Sequence, residues 1–231
     1  MERRRQPRTD RPALRPKTVK VKTARGRKNS SQRWLQRQLN DPYVYEARAL
    51  GYRSRAAFKL EQLDDKYKFL RPGKVVVDLG AAPGGWTQVA LQRLKNKTPV
   101  IGIDLLPIDP IPGADFVEGD FLDSAIYNSF KTRFKDGADV VMSDMAAVTT
   151  GHSNTDHIRT IALAESAYTF ARSVLKKGGV FIAKVFQGGA DSTLLENLKR
   201  DFEIIKHHKP PASRKESPEM YVVALNFRQD N

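Results

Sequence analysis

Three apolar runs in this chain close on an aspartate: Val75–Val77 before Asp78, Val100–Ile103 before Asp104, and Val140–Ser143 before Asp144. One aspartate after a strand commonly forms a turn or caps the next helix. Three at the ends of parallel strands converge on one edge, and open α/β sheets bind their ligands beyond that edge. A fourth run, Val180–Phe186, is interrupted by Lys184. A charge buried there costs several kcal/mol unless it is paired or neutralised; the plain alternative is a stem that snorkels out at the strand end. Lys59 lies at the border of the helical stripe Ala56, Leu60 and Leu63, where a solvated stem is again the plain alternative. Glu219 opens the last strand-like segment. If that segment runs antiparallel, its start returns to the edge holding Asp144 and Lys184, within reach of Lys59. Lysines facing carboxylates are equipment for moving a proton or stabilising a developing oxyanion.

The loop after Asp78 is Gly80-Ala81-Ala82-Pro83-Gly84-Gly85 and leads into a helical segment. The dinucleotide fingerprint G-x-G-x-x-G would need glycine at Ala82, which disfavours a nicotinamide dehydrogenase. Glycines here still permit positive φ and close approach of backbone to ligand. Asp104, 26 residues after Asp78, suits ribose hydroxyls, and Asp120 after the next strand suits an adenine amine. These residues point to an adenosine-type ligand without naming it.

The elements that must position these groups follow from periodicity. Ser30–Ser31 and Asp41-Pro42 read as helix starts, Gly51 as a stop, and Ser54 as the cap of a third helix broken at Arg71-Pro72-Gly73. Apolar runs at 75–79, 100–105, 138–143 and 180–186 alternate with helical segments at 86–95 and 156–176, the latter closed by Gly178-Gly179. Such alternation implies crossovers and a mostly parallel, doubly wound sheet. The strand-like segments 202–206 and 220–227 have no evident helix between them, so one of them pairs antiparallel.

Residues 1–30 carry twelve Lys/Arg against Glu2 and Asp10, most of the net +14 of the 231-residue chain. They read as a disordered basic tail for phosphate backbones, ahead of a single domain over 31–231 whose N-terminal helices span 31–70. A solubilising extension or a transit peptide are the alternatives. The chain has no cysteine, which removes disulfides and thiol chemistry. No secretory signal or apolar span of membrane length is present, so a cytoplasmic protein is expected. No metal-ligand set is evident, His207-His208 reading as solvated, and nothing calls for more than a monomer.

Taken together, the blocks Arg53–Leu60, Asp78–Trp86, Asp104–Pro110, Gly119–Phe121, Ser143–Ala146, Lys184–Gly188 and Ser217–Tyr221 resemble the FtsJ (RlmE, RrmJ) class of ribosomal RNA 2′-O-ribose methyltransferases. The resemblance covers roughly 31 to 227. It implies a Rossmann-like methyltransferase fold with a seven-stranded, mostly parallel sheet and an antiparallel last strand. It implies S-adenosylmethionine as methyl donor, contacted by Gly84, Trp86, Asp104, Asp120 and Asp144, and a catalytic tetrad of Lys59, Asp144, Lys184 and Glu219. Lys184 is then the base for the ribose hydroxyl, or a retained charge that stabilises the oxyanion. The class acts on a uridine of 23S rRNA, in the A loop of the assembled or assembling 50S subunit; tRNA or mitochondrial rRNA as substrate, or a non-catalytic RNA chaperone role, are the alternatives. One departure is visible: Ala147-Val148 follows Ser143–Ala146 where the class has Pro-Asn. Arg53, Arg55, Lys206, Lys209, Arg214 and Lys215 flank the site as candidate phosphate contacts.

Overall fold

Strands β1 (Val76–Leu79), β2 (Val100–Asp104), β3 (Ala114–Glu118), β4 (Ala138–Ser143), β5 (Leu175–Phe186), β6 (Phe202–His208) and β7 (Glu219–Phe227) form one sheet in the computed structural model of the chain. Their order is β3-β2-β1-β4-β5-β7-β6. The order reverses at β1, beside which β2 and β4 both pair in parallel, while β7 runs antiparallel to β5 and β6. The structure describes residues 29–147, 150–187 and 192–228. The basic segment 1–28 and Val148, part of the departure from the class pattern, lie outside them. The chain divides into two compact units, one ending at Gly51 and one running from Tyr52.

In the first unit, α1 spans Asn29–Leu39 and α2 spans Pro42–Ala49. Asp41 caps α2 through a bond from Tyr43 N (3.0 Å), with Pro42 at the first helical position, where its missing N–H costs nothing.

In the second unit, β1 is buried throughout because helices cover both faces of the sheet, and its side chains are accordingly apolar apart from Asp78. One face packs on α3 (Ala57–Tyr67) and α4 (Gly85–Leu94), joining Leu60, Leu63, Trp86 and Val89 to Val76, Met142, Ile182 and Tyr221. The other face packs on α5 (Ser124–Lys131), α6 (Ser153–Val174) and α7 (Ser192–Asp201), joining Phe130, Phe170 and Leu198 to Leu79, Val141, Phe181 and Val222.

Two local expectations are corrected. Ser54 does not cap α3; that position belongs to Ala56, and Ser54 O instead accepts from Ala57 N. The α6 helix ends at Val174 rather than at the glycines, because Leu175 already turns extended and pairs with Ala138. Gly178, at φ 78°, instead accommodates the register shift between β4 and β5. Helix α5, capped by Asp123 on Ala125 N and Ile126 N, and helix α7 add to the helical segments read from periodicity. Among the described residues, no helix is long and apolar enough to cross a membrane.

Candidate active site

Pairing register brings the chemistry-bearing side chains to one face at the carboxyl edge of the parallel strands. Lys184 lies opposite Tyr221, and Phe186 opposite Glu219, in the antiparallel β5–β7 pair. Because strand side chains alternate, Lys184, Tyr221 and Glu219 share a face. On β4, Ser143 pairs with Ala183, so Asp144 arrives beside Lys184. The α3 helix crosses this face and supplies Lys59.

Two ion pairs result. Lys184 Nζ donates to Asp144 Oδ1 at 2.7 Å and to the Asp144 backbone carbonyl at 2.7 Å. Lys59 Nζ meets Glu219 Oε1 at 2.6 Å. Both lysines are buried, at 8% and 7% exposure, so neither is the solvated stem that the sequence left open. Tyr221 joins the pairs: its hydroxyl donates to Asp144 Oδ1 at 2.7 Å and approaches Glu219 Oε1 at 3.3 Å. Its ring packs beside Trp86 and under the Lys59 ammonium. Burial pushes the Asp144 carboxyl up, but Lys184, Lys59 and the bonds from Lys184 and Tyr221 outweigh it and hold the group below its usual range. Burial, followed by the Asp144 and Glu219 charges, drives the Tyr221 phenol well above its ordinary value, so it remains a donor.

Sequence reading missed Tyr221 as a site residue, although its i, i+2 spacing from Glu219 places both on one face. It also missed Ser213, whose hydroxyl donates to Glu219 Oε1 at 2.9 Å. Ser213 sits in the 209–218 connection, where Ala212 N donates to Gln62 Oε1 of α3 (2.8 Å) and the Ala212 carbonyl accepts from Arg55, just ahead of α3. The same helix therefore carries Lys59 and fixes the segment that holds its partner.

A second cluster adjoins the first. Gly80, Asp104, Leu105, Gly119, Asp120, Phe121, Met145 and Leu163 are among the residues lining a cavity of about 200 Å³. That is room for a nucleoside-sized group. Asp104 Oδ2 accepts from Ala82 N and Oδ1 from Leu106 N, both at 2.9 Å, tying the Gly80–Gly85 loop to the β2 end. Gly80, at φ 78°, lies so close to Met145 that a Cβ would come within 2.8 Å of it. The β1 and β4 loops can approach this closely only with glycine there. Gly84, at φ 106°, precedes α4, and a Cβ on it would strike Ile111. The Trp86 side chain is placed in the core, its indole N–H donating to Ala56 O at 2.9 Å, so only its backbone faces the loop.

Asp78 lies beneath this loop. It is fully buried; Oδ2 accepts from Thr87 Oγ1 at 2.7 Å, and Oδ1 has no hydrogen-bond partner. Burial, aided by the charges of Asp144 and Asp104, raises its pKa to about 7 despite the bond from Thr87.

Three of the basic residues expected to flank the substrate have structural work instead. The Arg53 guanidinium donates to the carbonyls of Pro83 (3.1 Å), Asp109 (2.6 Å) and Pro110 (2.9 Å), pinning the β2–β3 connection to the glycine loop. Arg55 holds Ala212, and Lys209 Nζ donates to the carbonyls of Lys215 and Ser217. Among the described residues, no cluster of three or more His, Cys, Asp or Glu can hold a metal.

The family model for FtsJ-like methyltransferases matches residues 52–227, most of the chain. The chain belongs to that family. Its relatives within the FtsJ-like group include the ribosomal RNA large subunit methyltransferase E of Paramagnetospirillum magneticum, 58% identical over 91% of this chain and 88% of that protein. The protein of the same description from Gluconobacter oxydans is 56% identical over 94% of this chain and 80% of its own length. Among solved structures, a protein from Plasmodium falciparum assigned as a ribosomal RNA methyltransferase superposes with a TM-score of 0.69 at 36% identity, covering 76% of this chain and 98% of that one. The seven-stranded sheet of this FtsJ-like chain is thus the Rossmann-like methyltransferase fold.

Tyr221→Phe keeps the ring packing and removes one charge-assisted bond to Asp144. It is expected to cost about 2 kcal/mol of stability and to lower turnover more than substrate affinity. Thermal unfolding and a turnover-against-KM comparison check this; unchanged values in both would remove Tyr221 from the site.

Proposed function

We propose that this protein transfers a methyl group from S-adenosylmethionine to the ribose 2′-hydroxyl of a uridine in 23S rRNA, in the A loop of the assembled or assembling 50S subunit. The observation that carries this reading is the buried Lys184 whose ammonium is held by two acceptors of one residue, Asp144. The rRNA substrate is supported by the large-subunit relatives at 54–58% identity, and the cytoplasm, where such subunits assemble, is the compartment proposed.

The residues present fit the donor. Asp104 and Asp120 line the cavity, which supports assigning them the ribose hydroxyls and the adenine amine. Gly84 and the Trp86 backbone open α4, where the chain can approach a ligand closely, and Asp144 joins this cleft to the lysine. The unpartnered Asp78 Oδ1 is a buried acceptor under the same loop, suited to a cationic ligand. When bound, S-adenosylmethionine supplies a methyl already activated on a sulfonium, so the protein's task is alignment and management of one proton.

On giving one proton to solvent, the Lys184 ammonium becomes an amine with two N–H groups and one lone pair. Both N–H groups of Lys184 can be spent on Asp144 Oδ1 and the Asp144 carbonyl, which leaves the lone pair directed away from them for the 2′-hydroxyl proton. Asp144 fixes this orientation. Glu219 has Oε1 occupied by Lys59, Ser213 and Tyr221, leaving Oε2 to accept from the substrate ribose. Lys59 holds Glu219 in place and adds positive charge where the oxyanion develops. With the donor bound, Lys184 would take up the proton that the 2′-hydroxyl releases as its oxygen is methylated, the sulfonium leaving as a neutral thioether. Lys206 and Lys215 are assigned as phosphate contacts around the site, and the basic segment 1–30 as an arm ahead of the methyltransferase domain.

Incubation with labelled methyl donor and separated tRNA, naked rRNA and 50S subunits tests the substrate. Label in the large subunit, at a ribose resistant to alkaline cleavage, is expected. Labelling of tRNA alone would overturn the substrate, and label on a base would overturn the reaction.

A further inference from the structure

The sheet edge opposite the proposed active site carries a concentration of cations that the methyl-transfer reading does not use. Lys68, Arg71 and Lys74 line one wall of a cleft of about 290 Å³, with Gly178, Val180 and Asn226 among the residues facing them. Thr98 Oγ1 donates to Lys74 O at 2.7 Å, which brings the start of β2, with Lys95 and Lys97, beside the cleft. Lys177 arrives from the start of β5. The acid in the cleft wall is already satisfied: Asp139 meets Lys74 Nζ at 2.8 Å and Lys176 Nζ at 3.7 Å. Lys68 has Asp65 at 3.4 Å in an exposed pair of little energy. Arg71, Lys95, Lys97 and Lys177 are exposed and, among the described residues, have no carboxylate within ion-pair distance.

Cations commonly gather where helices end, to offset the helix dipole. That accounts for Lys66 and Arg93, in the last turns of α3 and α4. It does not account for Arg71, Lys97 and Lys177, which stand past the helix ends at the starts of strands. The opposite edge, by contrast, gathers carboxylates: Asp104, Asp120, Asp144 and Glu219.

We propose that this edge binds the phosphodiester backbone of a second segment of the RNA whose target nucleotide enters the active site. The proposal rests on the RNA-substrate reading above. From Val180 to Phe186, β5 rises roughly 20 Å, so the target nucleotide in the site does not itself reach the patch. The phosphates it meets belong to a segment away from the target nucleotide, which favours a large folded RNA over a short one.

The test is the full-length triple variant Arg71→Glu, Lys97→Glu, Lys177→Glu, against a control with Lys97→Arg and Lys177→Arg. Binding to 50S subunits is measured over a salt series, and methylation at varied subunit concentration. The charge-reversed protein should bind roughly tenfold more weakly, with a salt slope smaller by about 2, a raised KM and unchanged turnover; the arginine control should match wild type. S-adenosylhomocysteine affinity and thermal unfolding establish that the variant is folded. Wild-type affinity and slope in the folded triple variant would overturn the proposal, as would lowered turnover at unchanged KM. Should wild type leave 50S subunits unmethylated, the substrate reading falls, and the binding series still decides the patch.

Discussion

Replacing Lys184 by alanine is expected to lower single-turnover methyl transfer by on the order of 10³-fold with the donor still bound, the scale on which a positioned proton acceptor contributes. The substitution also leaves Asp144, half-buried at the edge of the core, with Tyr221 and the more distant Lys59 as its counterparts. Breaking a buried pair in this way costs about 3 kcal/mol, so the rate must be read on protein shown to be folded. Lys184→Arg separates the two roles a lysine can play here. It keeps a positive charge that is not lost at any working pH, so it should be as inactive as alanine if Lys184 accepts the proton. Partial activity in Lys184→Arg would instead assign Lys184 to charge stabilisation. Near-normal transfer by Lys184→Ala would sink both roles, and with them the reading of the reaction.

The second large effect concerns Asp78 and pH. Its carboxyl, near 3.9 in an unfolded chain, is raised to about 7 by burial and by the neighbouring carboxylates. Between those values the folded protein holds a proton that the unfolded chain has released. This contribution to stability is therefore fully present below about pH 4 and is lost as pH rises through about 7. Across pH 5 to 8 the loss amounts to about 3 kcal/mol by linkage, or on the order of 5–10 °C in Tm for a domain of this size. Asp78→Asn has no such proton. Its Tm relative to wild type, measured without methyl donor, should climb by that amount as pH rises from 5 to 8. A difference that stays flat over this range would show that Asp78 is ionised throughout, and that the charge under the glycine loop is permanent.

Much of this site could be read before any fold was known. The residue types at strand ends are local facts: Asp78, Asp104 and Asp144 each follow an apolar run, and Lys184 interrupts one. An ammonium within a buried strand is improbable without a partner, so its presence already required an acid nearby. The loop at Gly80–Gly85 excluded the dinucleotide spacing by its own sequence. The alternation of strands and helices determined a doubly wound sheet, and the concerted motifs determined the family.

What the chain alone left open was which donor meets which acceptor. That depends on strand register, and register is a property of pairing between segments far apart in sequence. The β5–β7 pairing of Lys184 with Tyr221 made a tyrosine the bridge between the two ion pairs. Arg53 and Arg55 read as phosphate ligands because they flank the site; only the packed structure showed them donating to carbonyls at Pro83, Asp109, Pro110 and Ala212. Trp86 belonged to a ligand loop by position, yet its indole turned into the core because α4 presents that face to α3 and β7. The sequence determined the chemical inventory and the edge where it gathers. Tertiary packing decided the pairing, because whether a buried polar group is satisfied depends on neighbours that the order of residues does not list.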